Sequence, residues 1–119
     1  MPSKTISLIN LNSIYDLEKK INQQIEYQRF RGNIYVDGMK SWIERDLINQ
    51  IIIINNVRFR ILKEIPRCSA TNIKPQTSNY DLNIPQMLKK NYNHINMGIY
   101  LLPIDDGTIT INDQIILNE

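Results

Sequence analysis

The chain has 119 residues, of which 42% are hydrophobic and 22% are charged, and its net charge is +2. These values are typical of one soluble globular domain with its own core, and the chain is too short for two. The longest apolar run, Ile51–Ile54, is far too short to span a membrane, and the net charge is too small to indicate a nucleic-acid-binding face. Because the N-terminal residues lack the apolar core of a secretory signal, we expect a cytoplasmic protein. A single cysteine excludes an internal disulfide.

The first half of the chain predicts two strands around one helix. Residues 4–10 alternate loosely between apolar and polar side chains, which indicates a short strand. Residues 13–24 are expected to form an amphipathic helix, capped by Asn12 or Ser13, whose side chains can accept amide protons of the first turn. Residues 34–36 are β-branched or aromatic and predict a second strand. The apolar positions that recur at four-residue spacing are Leu17, Ile21 and Ile25.

The middle of the chain has the pattern of a β-hairpin. Residues 50–54 and 57–65 are rich in β-branched side chains and are separated by Asn55 and Asn56. Asparagine tolerates the positive φ angles that tight hairpin turns require. Pro66 has no backbone amide proton, so it is expected to end the pairing.

The remaining residues predict a loop, a second helix and the closing strands. Residues 71–83 are polar and turn-prone, which is typical of a long loop, and Pro85 is well placed to begin a short helix. Three further strands are predicted, over residues 96–102, 108–111 and 114–117. Many short strands with few helices indicate a mainly β fold with two short helices, either a β-barrel or a curved antiparallel sheet.

The only cysteine, Cys68, follows Arg67 at the start of this polar loop. Two interpretations of Cys68 stay open at this point. A free cysteine is commonly buried and behaves as a small hydrophobic residue. An exposed cysteine beside a positive charge can instead react as a thiolate or bind a soft metal.

Two other segments carry side chains suited to chemistry. Arg29 and Arg31 flank an aromatic residue just before Gly32, and arginine binds phosphate through paired hydrogen bonds. The alternative is a pair of solvated surface arginines. Glu44 lies two residues after Trp42 and could serve in acid–base chemistry, although a surface ion pair is the commoner outcome for such a carboxylate.

These segments fall in an order that resembles the MOSC domain, which is found in molybdenum cofactor sulfurases and in the mitochondrial amidoxime-reducing enzymes. The resemblance extends over about residues 7–117. We therefore expect residues 1–119 to form a single MOSC-like domain. The blocks that carry it are Arg29-Phe30-Arg31-Gly32-Asn33, Asp37-Gly38, Trp42-x-Glu44, Pro66-Arg67-Cys68-x-x-Thr71, Pro75-x-Thr77, His94-x-x-x-Gly98-x-Tyr100 and Gly107-x-Ile109-x-x-x-Asp113.

The resemblance implies a β-barrel-rich fold that binds the molybdenum cofactor (molybdopterin), in which the dithiolene of a pterin phosphate holds the metal. Cys68 matches the family cysteine, which either carries persulfide sulfur or ligates molybdenum. Glu44 matches an acidic position near the metal, so Cys68 and Glu44 are the implied catalytic residues. The implied cofactor-binding residues are Arg29, Arg31, Asn33, Arg67 and Thr71.

The resemblance also implies partners, because family members usually carry a further N-terminal half that is absent here. The chain then corresponds to the C-terminal portion of the family domain. A half barrel leaves strand edges unpaired, so we expect a homodimer or a separate subunit that supplies the N-terminal half.

Three functions follow from the resemblance. In the first, the chain is a cofactor-binding sulfur carrier that presents a Cys68 persulfide to a molybdenum centre or other acceptor. A cysteine desulfurase would load it, because the chain has no pyridoxal-phosphate-binding domain. In the second, the chain is a molybdenum-dependent reductase of N-hydroxylated or N-oxide substrates, with Cys68 as metal ligand and a separate redox partner. The third is a non-catalytic interaction module.

Overall fold

The structure is a computed structural model, which describes residues 4–109 and the backbone of residues 115–117. It contains two α-helices and six β-strands, joined in part by three short 3-10 turns. The strands are β1 (Ile6–Asn10), β2 (Ile34–Val36), β3 (Ile51–Ile54), β4 (Val57–Pro66), β5 (Asn96–Pro103) and β6 (Ile115–Leu117). The helices are α1 (Leu11–Ile21) and α2 (Ile84–Tyr92), and the 3-10 turns are Tyr27–Phe30, Ile43–Leu47 and Ser69–Asn72.

All six strands belong to one sheet in the order β2-β1-β5-β4-β3-β6, which curls into a half-barrel. The mainly β fold with two helices is therefore confirmed. The pairs are antiparallel except β1 with β2, which are parallel. The parallel pair arises because α1 lies between these strands in sequence and carries the chain back to the same end of the sheet.

Successive residues of a strand point to opposite sides of the sheet, and both sides are buried in β1 and β5, whereas β4 largely alternates buried and exposed residues. In β1, Leu8 belongs to a cluster that includes Phe59 and Ile61 from β4, and Ile9 belongs to a second cluster. This second cluster packs α1 and α2 against the sheet through Leu17 and Leu88. The helices therefore cover one face of the sheet at β1 and β5, while the curled sheet and residues outside the strands enclose the core on the other face.

The hairpin forms where the sequence predicts it. Asn55 and Asn56 have φ angles of 49° and 62°, as a two-residue turn with both central residues in the left-handed region requires. β3 and β4 pair directly on either side of them, with Ile54 opposite Val57. Pro66 is the last residue of β4, so the strand ends as expected.

The first helix differs from the prediction at both ends. It begins at Leu11 because Asn10, the last residue of β1, accepts a hydrogen bond from the amide of Asn12. Ser13 is buried inside the first turn, and its hydroxyl binds another side chain rather than capping the helix. The helix ends at Ile21 because Asn22 adopts the left-handed conformation that terminates helices.

The C-terminal predictions are confirmed in part. The expected loop over residues 71–83 holds part of a 3-10 turn and a β-bridge between Ile73 and Tyr80. A strand was predicted over residues 108–111, but Thr108 and Ile109 are not in a strand, so the prediction is wrong for these two residues. Residues 110 and 111 lie outside the described part of the chain. β6 falls within the predicted strand 114–117 and pairs with β3. Asp113 of the last sequence block also lies outside the described residues.

Over residues 4–109 and 115–117, neither helix combines the length and the hydrophobicity that crossing a membrane would need.

Candidate functional site around Cys68

Cys68 is exposed, so the interpretation of the thiol as a buried hydrophobic residue is wrong, while its role as a nucleophile or metal ligand stays a prediction. It lies two residues beyond the end of β4, where the amide of Arg67 still donates to the carbonyl oxygen of Ile95 at 2.8 Å. The backbone before the cysteine is therefore anchored to the segment that leads into β5. A thiol that is exposed at a fixed point can react with a molecule from solvent, whereas a buried one cannot.

The turn after Cys68 is held by Thr71. The Thr71 hydroxyl donates to the carbonyl oxygen of Cys68 at 2.8 Å, and the Thr71 amide donates to the same oxygen at 3.1 Å. Thr71 is buried, so both bonds are shielded from water. Thr71 thus shapes the loop that presents Cys68, while its contact with a cofactor stays a prediction.

Arg29 is buried, and protein oxygens bind its guanidinium on all sides. It pairs with Glu26 at 2.7 Å and with Asp81 at 2.8 Å, and it donates to the carbonyl oxygens of Thr71 and Asn72. These bonds fasten the 3-10 turn Tyr27–Phe30 to the turn that follows Cys68. Its predicted contact with a cofactor stays untested, but its observed contacts are those of a clamp between the two turns.

Arg67 directs its guanidinium into the protein. It donates to the carbonyl oxygens of Met97 at 2.7 and 2.9 Å and of Phe30 at 3.0 Å, and it lies over the Phe30 ring at 5.4 Å. Burial lowers the pKa of Arg67 below its ordinary range. Its predicted role as a cofactor ligand stays a prediction, and the observed bonds join β5 to the segment before β2.

Arg31 and Asn33 are exposed. Arg31 has a φ of 49° at the end of the 3-10 turn, and it makes no ion pair within residues 4–109. The Asn33 side-chain oxygen accepts from both the amide and the hydroxyl of Ser7, at 2.8 and 3.0 Å. Arg31 is therefore available to a ligand, and Asn33 keeps β2 beside β1.

Gly32, between these two residues, is required by close packing. A Cβ atom at this position would lie 2.5 Å from Cγ1 of Ile9 and 3.2 Å from the Tyr35 ring. The Gly32 amide also donates to the Tyr35 hydroxyl at 2.7 Å. Gly32 therefore allows the backbone to lie close against β1. This close contact fixes the position of the neighbouring Arg31.

Glu44 is 1% exposed, so the surface ion pair expected for it is wrong. Its two carboxylate oxygens accept from Asn10 Nδ2 at 3.0 Å and from the Ser13 hydroxyl at 2.9 Å. The same Ser13 oxygen accepts from the amide of Trp42. Glu44 thus joins the 3-10 turn Ile43–Leu47 to the junction of β1 and α1. Its hydrogen bonds do not reach the Cys68 loop, and its predicted catalytic role stays untested.

The burial of Glu44 predicts a pH effect on stability. Desolvation raises the pKa of Glu44, and the hydrogen bonds from Asn10 and Ser13 lower it. Desolvation has the larger effect, so the pKa of Glu44 lies above its ordinary value of 4.5. The folded state therefore holds the proton more tightly than the unfolded chain. The contribution of Glu44 is fully present below pH 4.5 and is lost as pH rises through the folded pKa, by at most about 1.4 kcal/mol per pH unit.

Urea unfolding across this pH range checks the effect in wild type and in Glu44→Gln, which cannot titrate. We expect the advantage of wild type over Glu44→Gln to shrink as pH rises. The variant Asp46→Asn, which alters an exposed carboxylate on the same turn, serves as control and is expected to leave the pH profile of wild type in place. A wild-type advantage that grows with pH would contradict the assignment.

His94, the lone histidine, lies in an aromatic cluster. Its ring is 5.6 Å from that of Trp42 and 5.8 Å from that of Tyr92. Nδ1 accepts from the amide of Asn96, whereas Nε2 is buried with no partner in the part of the chain that the structure describes. Burial lowers the pKa of His94, so the neutral ring is favoured and packing is its observed role.

The structure therefore brings part of the predicted site together. Arg29 joins Thr71 directly, and Arg31 lines a groove with Ala70, two residues after Cys68. Sequence reasoning missed Lys74 and Gln76, which line the same groove. The block Pro75-x-Thr77 could have indicated these residues, but the sequence analysis gave that block no role. Among the described residues, no group of three or more His, Cys, Asp or Glu side chains could hold a metal ion by itself.

These features define a mixed β half-barrel that presents one exposed thiol beside an arginine-containing turn. The chain belongs to the MOSC domain family, whose pattern matches residues 1–116.

The relatives are consistent with this membership. Mitochondrial amidoxime reducing component 2 from Rattus norvegicus is 30% identical over 87 residues, and the protein of the same name from Bos taurus is 28% identical over 87 residues. Each match covers 73% of this chain and 25% of the relative, so the chain matches about a quarter of the relatives' length.

Among solved structures, YiiM from Geobacillus stearothermophilus shares the fold with a TM-score of 0.71 and 15% sequence identity. The match covers 96% of this chain and 54% of YiiM. At this identity the likeness supports the fold and nothing finer.

Proposed function

We propose that this chain binds the molybdenum cofactor and that Cys68 is its contact with the metal centre. The observation that carries the proposal is the exposed Cys68, fixed by Thr71 on a turn that Arg29 joins to the arginine block. Membership of the MOSC family and the amidoxime-reducing relatives support an association with this cofactor in general.

The chemistry of the site residues fits the cofactor. A thiolate is a soft ligand suited to a soft or borderline metal, and a dithiolene brings its own sulfur ligands, so a single protein ligand can suffice. Arg31 is an exposed cation on the adjoining turn and suits the phosphate of the pterin. The bound metal centre would supply oxygen-atom and electron-pair chemistry. Cys68 would hold it in place, while Thr71 would keep the Cys68 backbone from moving.

The relatives favour one activity for the loaded protein. Two are amidoxime reducing components, and this favours reduction of N-hydroxylated or N-oxide substrates as the reaction in which the chain takes part. Electrons would come from a separate redox protein, because the described residues offer no cluster of ligands for an electron relay. The strand edges at β2 and β6 would suit a second copy of the chain or a separate subunit of the same family.

Exposure of Cys68 also supports a second function, that of a persulfide carrier. The Cys68 thiolate would attack the terminal sulfur of a persulfide on a cysteine desulfurase. A new S–S bond forms at Cys68 while the donor's S–S bond breaks, and the donor cysteine leaves as a thiolate. The exchange is balanced and requires no further oxidant. Delivery to an acceptor thiolate repeats the same exchange in the opposite sense.

One experiment separates these functions. The chain is produced in cells that make the cofactor and purified without reductant, and then its molybdenum content and intact mass are measured. Roughly one molybdenum per chain, lost in Cys68→Ser, is the expected result for a metal ligand. One extra sulfur atom on Cys68 without metal is the result for a carrier and would overturn metal ligation.

The matched control is Ser69→Ala, which alters the exposed neighbour of the cysteine and should keep both readouts. If wild type carries neither molybdenum nor sulfur, both functions are wrong, and the non-catalytic interaction module is the function left.

A further inference from the structure

Two aromatic side chains meet where the end of α2 lies against the segment that leads into the 3-10 turn Ile43–Leu47. Trp42, the only tryptophan of the chain, and Tyr92 have ring centroids 4.5 Å apart. Both donate to the same carboxylate oxygen, Oδ2 of Asp16 on α1. The Tyr92 hydroxyl does so at 2.6 Å and Nε1 of Trp42 at 3.0 Å. We name Asp16, Trp42 and Tyr92 the Asp16 triad.

Trp42 is held in an unfavourable backbone conformation. Its φ is 66°, and among the described residues it is the only aromatic residue in the left-handed region, where a bulky side chain is an outlier. Its amide donates to the Ser13 hydroxyl at 2.9 Å while its indole is bound to Asp16, so contacts with α1 maintain this conformation. Backbone strain that the surrounding structure maintains is typical of functional positions. Here it places the indole against Tyr92.

Tyr92 differs from the other tyrosines in its partner. All six tyrosines lie within residues 4–109, and in that range Tyr92 is the one whose hydroxyl donates to a carboxylate. Burial and the hydrogen bond to Asp16 raise the pKa of Tyr92, so the phenol is protonated at neutral pH. The same bond lowers the pKa of Asp16, so its carboxylate is ionised. A proton donor and an ionised proton acceptor therefore face each other at 2.6 Å.

The surroundings of the triad favour the loss of an electron from Tyr92. All three residues of the triad are half-buried, and the His94 ring lies 5.6 Å from Trp42 and 5.8 Å from Tyr92, which partly shields the pair from water. Nζ of Lys20 lies 5.8 Å from the centre of the Tyr92 ring, where a positive charge opposes oxidation. Asp16 is much closer to Tyr92 and Lys20 is exposed to screening by water and salt, so the negative charge has the larger effect.

We infer that the Asp16 triad is a one-electron oxidation site, which reduces oxidants of the radical class and holds the oxidising equivalent as a neutral Tyr92 radical. Trp42 gives one electron to the oxidant, and Tyr92 then gives one electron to the Trp42 radical cation. An oxidised phenol is a strong acid, so the hydroxyl proton of Tyr92 moves to Oδ2 of Asp16.

The step is balanced. One electron leaves the triad and reduces the oxidant, one proton passes from Tyr92 to Asp16, and Trp42 returns to its starting state. A one-electron reductant of the thiol or ascorbate class restores Tyr92, which then takes its proton back from Asp16. The site uses residues of α1, α2 and the segment before Ile43–Leu47, so the inference does not rest on the proposed cofactor or on Cys68.

Photo-oxidation of the purified chain by flash-generated tris(bipyridine)ruthenium(III) tests the site, with radicals followed by transient absorption and by electron paramagnetic resonance of frozen samples. We expect a tryptophan radical that decays as a tyrosyl radical grows. Tyr92→Phe keeps the ring contact with Trp42 and should lower the tyrosyl yield about tenfold, because the remaining tyrosines lack a charge-assisted hydrogen bond to a carboxylate. Tyr15→Phe, which alters an exposed tyrosine on α1, is the matched control and should keep the wild-type yield.

Asp16→Asn separates proton transfer from packing. The asparagine oxygen can still accept hydrogen bonds from Tyr92 and Trp42, but a neutral amide cannot take up the phenol proton. We therefore expect the tyrosyl yield of Asp16→Asn to fall to that of Tyr92→Phe. A wild-type yield in Asp16→Asn would show that the carboxylate serves packing alone and would overturn the inference. Equal yields in Tyr92→Phe and Tyr15→Phe would also overturn it, and this comparison suffices if Asp16→Asn does not fold.

Discussion

Replacing Arg29 with methionine is expected to lower the free energy of unfolding by about 3 kcal/mol. The substitution keeps an unbranched side chain but removes hydrogen bonds to the carbonyl oxygens of Thr71 and Asn72 and two ion pairs. The side chains of the acidic partners, Glu26 and Asp81, are 37% and 39% exposed, so water can solvate them after the change. We therefore expect the loss in the free energy of unfolding to lie at the lower end of the range that is usual when one partner of a buried ion pair is removed.

Urea unfolding monitored by Trp42 fluorescence measures this loss, and Arg31→Met is the matched control. Arg31 lies two residues away, is exposed and makes no ion pair in residues 4–109, so its replacement should change the free energy of unfolding by less than about 0.5 kcal/mol. Equal stability of Arg29→Met and Arg31→Met would show that the clamp contributes nothing.

The pair of variants also separates structure from ligand binding. Arg31→Met should lower the molybdenum content of the purified protein, as the proposed function requires, while the fold stays as stable as wild type. Arg29→Met should destabilise the fold and loosen the contact between the turns Tyr27–Phe30 and Ser69–Asn72, because Arg29 bonds to the backbone of Thr71 and Asn72. An arginine that binds a ligand and an arginine that holds the binding site are thus distinguished within one short block.

Replacing Gly98 with alanine is expected to cost about 3 kcal/mol of stability. Gly98 has a φ of +90°, which residues with a Cβ atom adopt at a cost of about 1–2 kcal/mol. A Cβ atom here would also lie 2.5 Å from Cδ1 of Ile9 and 3.0 Å from the carbonyl oxygen of Leu8. The strand β1 cannot move away without breaking its pairing with β5, so overpacking adds about 1–3 kcal/mol.

Gly38→Ala isolates the backbone contribution to this cost. Gly38 has a φ of +83°, and a Cβ atom there would meet nothing within 4 Å. Its replacement should therefore cost about 1 kcal/mol, the conformational part alone. Thermal unfolding of both variants checks the difference. If Gly98→Ala is no less stable than Gly38→Ala, the close approach of β5 to β1 is not what requires the glycine.

The same contact connects the fold to the site. A Cβ atom on Gly98 would lie 3.3 Å from Nη2 of Arg67, whose guanidinium binds the carbonyl oxygen of Met97. A shift of β5 would therefore move Arg67 and, with it, the point where the Cys68 loop leaves the sheet. The glycines at positions 32 and 98 both face Ile9, so one buried side chain explains why two separate sequence blocks each contain a glycine.

Local patterns in the sequence were sufficient for most secondary-structure elements. β-Branched runs on either side of Asn55-Asn56 predict the hairpin, because positive φ angles and strand propensity are properties of the residues themselves. Local sequence also predicts α2, because Pro85 lies in its first turn. It likewise predicts the role of Thr71, which is close enough along the chain to bond to the Cys68 carbonyl. The cap of α1 was misplaced by two or three positions, because Asn10, Asn12 and Ser13 are all good capping residues and tertiary contacts select among them.

The sequence by itself thus determined the mainly β fold, the hairpin and the position of the only thiol. The tertiary structure alone decided that Cys68 is exposed, that Glu44 is buried with neutral partners, and that Arg29 is bound within the protein, whereas Arg31 makes no ion pair within residues 4–109. The physical reason is the range of the interactions. Turn and strand preferences act over a few residues, but the partners of Glu44, and those of Arg29 other than the neighbouring Glu26, are 31 to 52 positions away in sequence. Such partners are fixed only when the sheet brings those segments together.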